Sequence, residues 1–328
     1  MMAFLGNESA RDALAAAMAS GVLHHAWLIA GPEGVGKGAF ARAAAARMLA
    51  EASEPHKLNP GWDVPETTQT AHLIAAGAHP DYRALVRLPK DAAKPEEALA
   101  RSITIAQVRS LQPLFATKPS LSGRRVIVID SIDDLERGGA NALLKNLEEP
   151  PAGTIFLLVS HAPGQLLPTI RSRCRLLRFE ALPAEQVAGI LRAELPQASA
   201  SEIDALVRAG EGSPGRALGF AGLDLAALEG EMATLAETGD PSNAVRSRLA
   251  KLLGAKAAQP RYEAFLQRSP SFIAERARTR SGEPLRAALD AYAAARELAE
   301  AAVGLSLDAG ATVFEMSGLI ARLSARTA

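Results

Sequence analysis

Two hydrophobic periods alternate through the first half of the chain. Residues 26–30 (Ala-Trp-Leu-Ile-Ala) form a short apolar run stopped by Gly31 and Pro32, which reads as a buried strand. An alanine-rich stretch at 38–50 then reads as a helix, and a loop-rich insertion at 51–80 carries proline, threonine and histidine. Ile105, Val108, Leu111 and Phe115 mark one face of a helix opened by Ser102 or Thr104. Residues 125–130 are a β-branched run ending in an acid, as a strand covered on both faces should be. A helix at 140–147 and strands at 155–160 and 176–179 follow. Four strands separated by helices predict an α/β domain, a parallel sheet with helices on both faces.

Beyond Phe179 the strand signal stops. Val187, Ile190 and Leu191, then Ile203, Leu206 and Val207, predict two short amphipathic helices leading to a turn at 210–215. Val245, Leu249 and Leu252 fall on one face of a later helix. Leu285, Leu289, Tyr292, Ala299 and Val303 fall on one face of another. Such faces suit subunit packing or an ordinary core. No internal repeat and no long low-complexity tract interrupts the pattern.

Composition narrows the class. At 328 residues the chain exceeds one ordinary core, so two or three domains are expected. Hydrophobic residues at 48% and charged residues at 22% describe a globular protein. The 36 basic and 36 acidic residues leave no net field, so nucleic-acid contact would need a local patch or partners. Aromatics at 4% argue against a stacking platform for single strands. The single cysteine, Cys174, excludes an intramolecular disulfide and a multi-thiolate metal site. No apolar run reaches ~18 residues, so no membrane span is expected. The first ten residues carry Asn7 and Glu8 and lack a basic start, so they do not read as a signal peptide. The expected location is the cytoplasm.

Candidate chemistry begins at Gly31-x-x-x-x-Gly36-Lys37, set between a predicted strand and a predicted helix. Gly31, Gly34 and Gly36 let backbone N–H groups turn toward phosphate oxygens, and the helix N-terminus adds its dipole. Lys37 supplies a cation for the outer phosphates. A glycine-rich turn without a ligand is the plainer reading, but the lysine and the flanking elements weigh against it. Gly38 follows, where the full motif has a Ser or Thr hydroxyl for Mg²⁺. Asp130, ending its strand, is placed to hold Mg²⁺ through water. Ser131 stands where a hydrolytic enzyme would carry a glutamate, and Asp133 and Asp134 lie a further turn along. The loop is therefore expected to bind ATP weakly, with an incomplete metal site and no turnover.

Four arginines, Arg171, Arg173, Arg175 and Arg178, lie within eight residues. For Arg175 and Arg178 a solvated basic edge is expected. Arg173 belongs to a larger pattern, formed in order by residues 31–37, 126–130, 141–151 (NALLKNLEEPP) and 167–174 (LPTIRSRC). That order resembles the AAA+ clamp-loader subunits of bacterial DNA polymerase III, and among them the delta-prime branch most closely. His79-Pro80-Asp81-Tyr82, Ile103-x-x-x-Gln107-Val108-Arg109 and Gly212-Ser213-Pro214-Gly215 support it, and the resemblance covers 26–218.

The resemblance implies a RecA-like AAA+ domain at 1–180, a helical lid at 181–235 and an all-α collar at 236–328. It implies that Arg173 is an arginine finger serving a neighbour's ATP and that Ser160 is the sensor-1 residue. The sensor-2 position falls on Gly215, with Arg216 one residue late. The family's four-cysteine zinc module has no counterpart. The insertion here carries His56, His72 and His79 at no fixed spacing, so no zinc is expected. Implied partners are the delta and gamma/tau subunits, with the sliding clamp and primed DNA met through the complex.

Two other functions compete with this one. An ATP-driven motor subunit needs a hydroxyl at 38 and a carboxylate at 131, and the chain has neither. A P-loop kinase for small acceptors fits poorly with the helical final third and Ser172-Arg173-Cys174. The Arg276-x-Arg278-x-Arg280 run is expected on a solvated helix face.

Overall fold

The computed structural model describes residues 6–91, 93, 99–305 and 307–324. Met1–Leu5, part of the stretch read as lacking a signal peptide, lie outside the described residues. By contacts the chain divides into two units, 1–186 and 187–328.

The first unit is built on five parallel strands: β1 (Ala26–Ala30), β2 (Tyr82–Val86), β3 (Arg125–Asp130), β4 (Thr154–Ser160) and β5 (Arg175–Arg178). Their order across the sheet is β2-β3-β4-β1-β5. The central strands are apolar on both sides because both faces are covered. Trp27, Ile29, Val126, Val128 and Leu157 face one layer, where α1 (Glu8–Ala19) and α2 (Lys37–Ser53) add Leu14, Phe40, Ala44 and Met48. Leu28, Ile127, Ile129, Phe156 and Leu158 face the other. Small alanines at 41, 44 and 45 are fully buried, and their size lets α2 lie close on the sheet.

On the insertion side, α3 (Gln69–Ala75) is short, and His72 lies on it while His56 lies in a 3₁₀ turn at 55–57. His79 is buried, and its Nδ1 accepts from Asp81 N at 3.1 Å. It is a turn residue.

In the first unit two features depart from the expected pattern. β2 was not among the four expected strands. It pairs only with β3, and Arg83 and Ala84 are exposed, so it lacks the apolar run of a covered strand. The helix expected through Phe115 is instead two, α4 (Ile105–Arg109) and α5 (Gln112–Phe115). Thr104, not Ser102, opens α4. Its side chain accepts from Gln107 N, and Gln107 Oε1 accepts from Thr104 N, a reciprocal capping box. Pro113 cannot donate the hydrogen bond that would continue α4, and it sits in the first turn of α5, where no partner is needed. On the same face, α6 (Arg137–Glu148) and α7 (Pro168–Arg171) bury Leu143, Leu147 and Ile170.

The second unit is helical. Its elements are α8 (Ala184–Glu194), which begins in the first unit, α9 (Ala200–Gly210), α10 (Pro214–Gly219), α11 (Leu225–Thr238), α12 (Ala244–Leu253), α13 (Gln259–Ala277), α14 (Gly282–Leu305) and α15 (Ala309–Ala321). The expected lid–collar boundary at 235 falls inside α11. Leu228, Met232 and Leu235 of that helix join one core with Leu249, Leu253, Phe265, Ile273, Met316 and Ile320. Arg268 is buried there between Glu229 (2.8 Å) and Glu275 (2.9 Å).

The expected helical faces are partly wrong. Leu252 is 49% exposed and Leu289 is 53% exposed; Leu253, Ala288, Ala291 and Ala295 take the inward places. The side chain of Val303 lies outside the described residues. The Arg276–Arg280 run is also not one solvated face, since α13 ends at Ala277. Arg276 lies 5.1 Å over the Phe272 ring, and Arg280 donates to Leu323 O at 2.6 Å. No helix among the described residues is long and apolar enough to cross a membrane.

Candidate functional site

Parallel register brings the chemically active strand ends to one edge. Ala30 pairs with Ser160, and Asp130 pairs with Val159, so the ends of β1, β3 and β4 lie side by side. Gly31 N then donates to Ser160 O at 3.2 Å, starting the loop against the end of β4. Gly31, Gly34, Gly36, Lys37, Gly38, Asp130 and Ser160 thus gather at this edge.

The loop closes onto α2 through Gly36, which caps the helix at φ 93°, a conformation that side-chain-bearing residues avoid. Lys37 follows at the first helical position and is 2% exposed. Its Nζ donates to Gly31 O at 2.7 Å and also to Pro32 O. Burial pulls its pKa down from the ordinary lysine value to about 8, opposed by the charges of Asp133, Glu33 and Asp130.

The metal corner is filled by protein. A Cβ placed on Gly38 would lie 2.1 Å from Asp130 Oδ2. The carboxylate therefore occupies the volume where a Ser or Thr side chain would stand. Arg42 Nη1 donates to the same Oδ2 at 2.9 Å. Ser131 is buried, offers no carboxylate, and its Oγ finds no hydrogen-bond partner among the described residues. These residues do not fit Mg²⁺, which wants near-ideal octahedral oxygen ligands. The loop itself fits an anion, with a helix N-terminus and a buried cation on one ligand path.

Asp133 has a different task from a catalytic base. It accepts from Ser160 Oγ at 2.9 Å, from His161 N at 2.6 Å and from Ala162 N at 3.3 Å. Three donors hold it against the end of β4, where it fixes the Ser160 side chain.

Arg173 makes its contacts elsewhere. It follows α7 and pairs through Nη2 with Glu148 Oε1 at 2.7 Å, while Nη1 donates to Thr169 O at 2.8 Å. Its side chain remains 32% exposed. Arg175 is exposed and lies 5.4 Å over the Trp27 ring, and Arg178 is exposed. Burial pushes the Cys174 thiol up to about 12, which disfavours the thiolate. In the second unit, Arg216 pairs with Glu211 at 2.8 Å.

Three residues went unread in the sequence: Arg42 and Asp133 as a clamp at this edge, and Glu148, the partner of Arg173, away from it. Arg42 carried one signal, its place four residues after Gly38 on one helix face. Glu148 lay inside a recognised run, but nothing in that run named its partner.

A sequence model of the family described as DNA polymerase III, delta subunit matches residues 6–183. The DNA polymerase III subunit delta' of Pseudomonas aeruginosa is 38% identical over 192 residues, 58% of this chain and 53% of that one. Its counterpart in Escherichia coli is 34% identical over 207 residues, 63% of this chain and 57% of that one. The DNA polymerase III subunit tau of Escherichia coli is 31% identical over 240 residues, 71% of this chain and 34% of that one. The chain spans about half the length of the delta' relatives it matches.

Proposed function

The chain belongs to the DNA polymerase III delta subunit family, and from that premise we propose that it is a delta-prime-like, non-motor subunit of the clamp loader. In this role it helps to load the sliding clamp on primed DNA during replication, in the cytoplasm, beside the delta and gamma/tau subunits. Its loop holds ATP weakly and without turnover. Its Arg173 completes the ATP site of a neighbour.

One observation carries the non-motor assignment: Asp130 fills the side-chain space at Gly38 and is paired with Arg42. A motor would need that space for a hydroxyl and that carboxylate for a metal, with a second carboxylate at position 131. What remains to contribute to hydrolysis is a guanidinium. The Arg173–Glu148 pair is partly exposed on both sides, and such pairs are worth only about 0–1 kcal/mol. Exchanging Glu148 for a neighbour's phosphate therefore costs little, and a planar guanidinium matches phosphate oxygens with two parallel N–H bonds.

Arg173→Ala tests this reading in a reconstituted complex. An arginine finger is worth roughly 10³-fold or more in rate, so ATP turnover by the complex should fall by that order. Nucleotide binding by the isolated variant should be unchanged. Undiminished turnover by the variant complex removes the finger assignment.

A further inference from the structure

A phosphate loop has to offset several negative charges, and in the full motif a divalent cation does part of that work. Here the groups that would hold one are engaged with each other. Gly38 and Arg42 are four residues apart on α2 and so share one face of the helix. Asp130 Oδ2 lies between them, 2.1 Å from the Gly38 Cβ position and 2.9 Å from Arg42 Nη1. The counter-ion of the strand carboxylate is thus an arginine already in place. A guanidinium stays charged at any ordinary pH and offers five N–H donors. Asp130 takes one, and the Arg42 side chain is 51% exposed, so its other donors are open to a ligand.

We propose that Arg42 takes the electrostatic place of the divalent cation, so that this loop binds the polyphosphate of a nucleoside di- or triphosphate without metal. The proposal rests on the loop being a nucleotide site and adds which cations serve it: Lys37 within the loop and Arg42 at its side. Mg²⁺ has no advantage here. It would have to displace a paired guanidinium from the carboxylate that ends β3, and it gives up its own water reluctantly.

The test is equilibrium binding of a fluorescent ADP analogue to the full chain, in EDTA and in millimolar Mg²⁺. The dissociation constant should be the same in both. Arg42→Ala should weaken binding in EDTA by roughly tenfold, the worth of one charge-assisted hydrogen bond. Asp130→Asn, which removes the carboxylate competing for Arg42, should tighten binding several-fold in EDTA and in Mg²⁺ alike, whereas loss of a metal-holding aspartate would weaken binding in Mg²⁺. Circular dichroism confirms that both variants fold. Binding that requires Mg²⁺, or an Arg42→Ala variant that binds as wild type, overturns the proposal and leaves the loop a nucleotide site. No binding by the wild type in either buffer overturns the loop as a site and the proposal with it.

Discussion

At Lys37 the fold buries a cation against its own loop carbonyls, and burial brings its pKa down to about 8. The sign of the consequence follows from which form each state prefers. The folded chain favours the neutral amine relative to the unfolded chain, so the cost of burying the charge is full below about pH 8. It is relieved as pH rises from there toward the unfolded value of 10.5, and stability from this group rises across that window. Nucleotide acts the other way, because phosphate oxygens favour the ammonium. Binding near pH 9 should therefore take up protons, and affinity should fall by up to about tenfold per pH unit above about 8. Calorimetry in two buffers of different ionisation heat reads the uptake directly. Lys37→Ala should lose both the binding and the pH dependence, and a wild-type profile flat to pH 10 would sink the assignment. This residue was legible from spacing alone, as were Gly31, Gly36 and the missing hydroxyl at Gly38. Arg42 and Glu148 were not, because an ion pair between distant segments depends on where the sheet brings them, and the sequence holds no record of that register.

The same limit shows at the level of elements, where legibility followed burial. β1, β3 and β4 are covered on both faces and announce themselves as continuous apolar runs. β2 is half exposed at the sheet edge, and Tyr-Arg-Ala-Leu-Val carries too little pattern to declare it. In α14 the difficulty is alanine, which is tolerated on either side of a helix and so leaves the orientation to larger residues. Leu289 suggested the wrong side; Ala288, Ala291 and Ala295 face the core and have no exposure at all. Close packing around a fully buried alanine leaves no room for three more carbons. Ala291→Leu should cost about 1–3 kcal/mol in denaturant unfolding. Leu289→Ser, on the 53% exposed side, should stay within about 0.5 kcal/mol for the isolated chain. If Leu289→Ser is harmless alone but weakens assembly with gamma/tau, its side of α14 meets a neighbour. Equal destabilisation by the two substitutions would mean that α14 turns a different face to the core.

At the scale of the whole molecule, charge separates a subunit that binds DNA for itself from one that meets DNA within a complex. The 36 basic and 36 acidic residues cancel, so no long-range field draws the chain to a phosphate backbone. Many of the arginines are also committed internally. Arg125 and Arg268 are 1% exposed, and Arg42, Arg173 and Arg216 are held by carboxylates. Around β5 the exposed charges are Arg171, Arg175 and Arg178, and Arg175 already lies over Trp27. That patch alone would release about three counterions, too few to hold duplex DNA at physiological salt. The isolated chain should therefore show no measurable binding to primed DNA in anisotropy titrations at ~0.15 M salt. The reconstituted loader should bind, and Arg175→Glu with Arg178→Glu should leave that binding unchanged. Tight binding by the isolated chain with a steep salt slope, abolished by those two substitutions, would make β5 a DNA surface. Its arginines would then be a second site beside Arg173, and the division of labour proposed for this subunit would have to be redrawn.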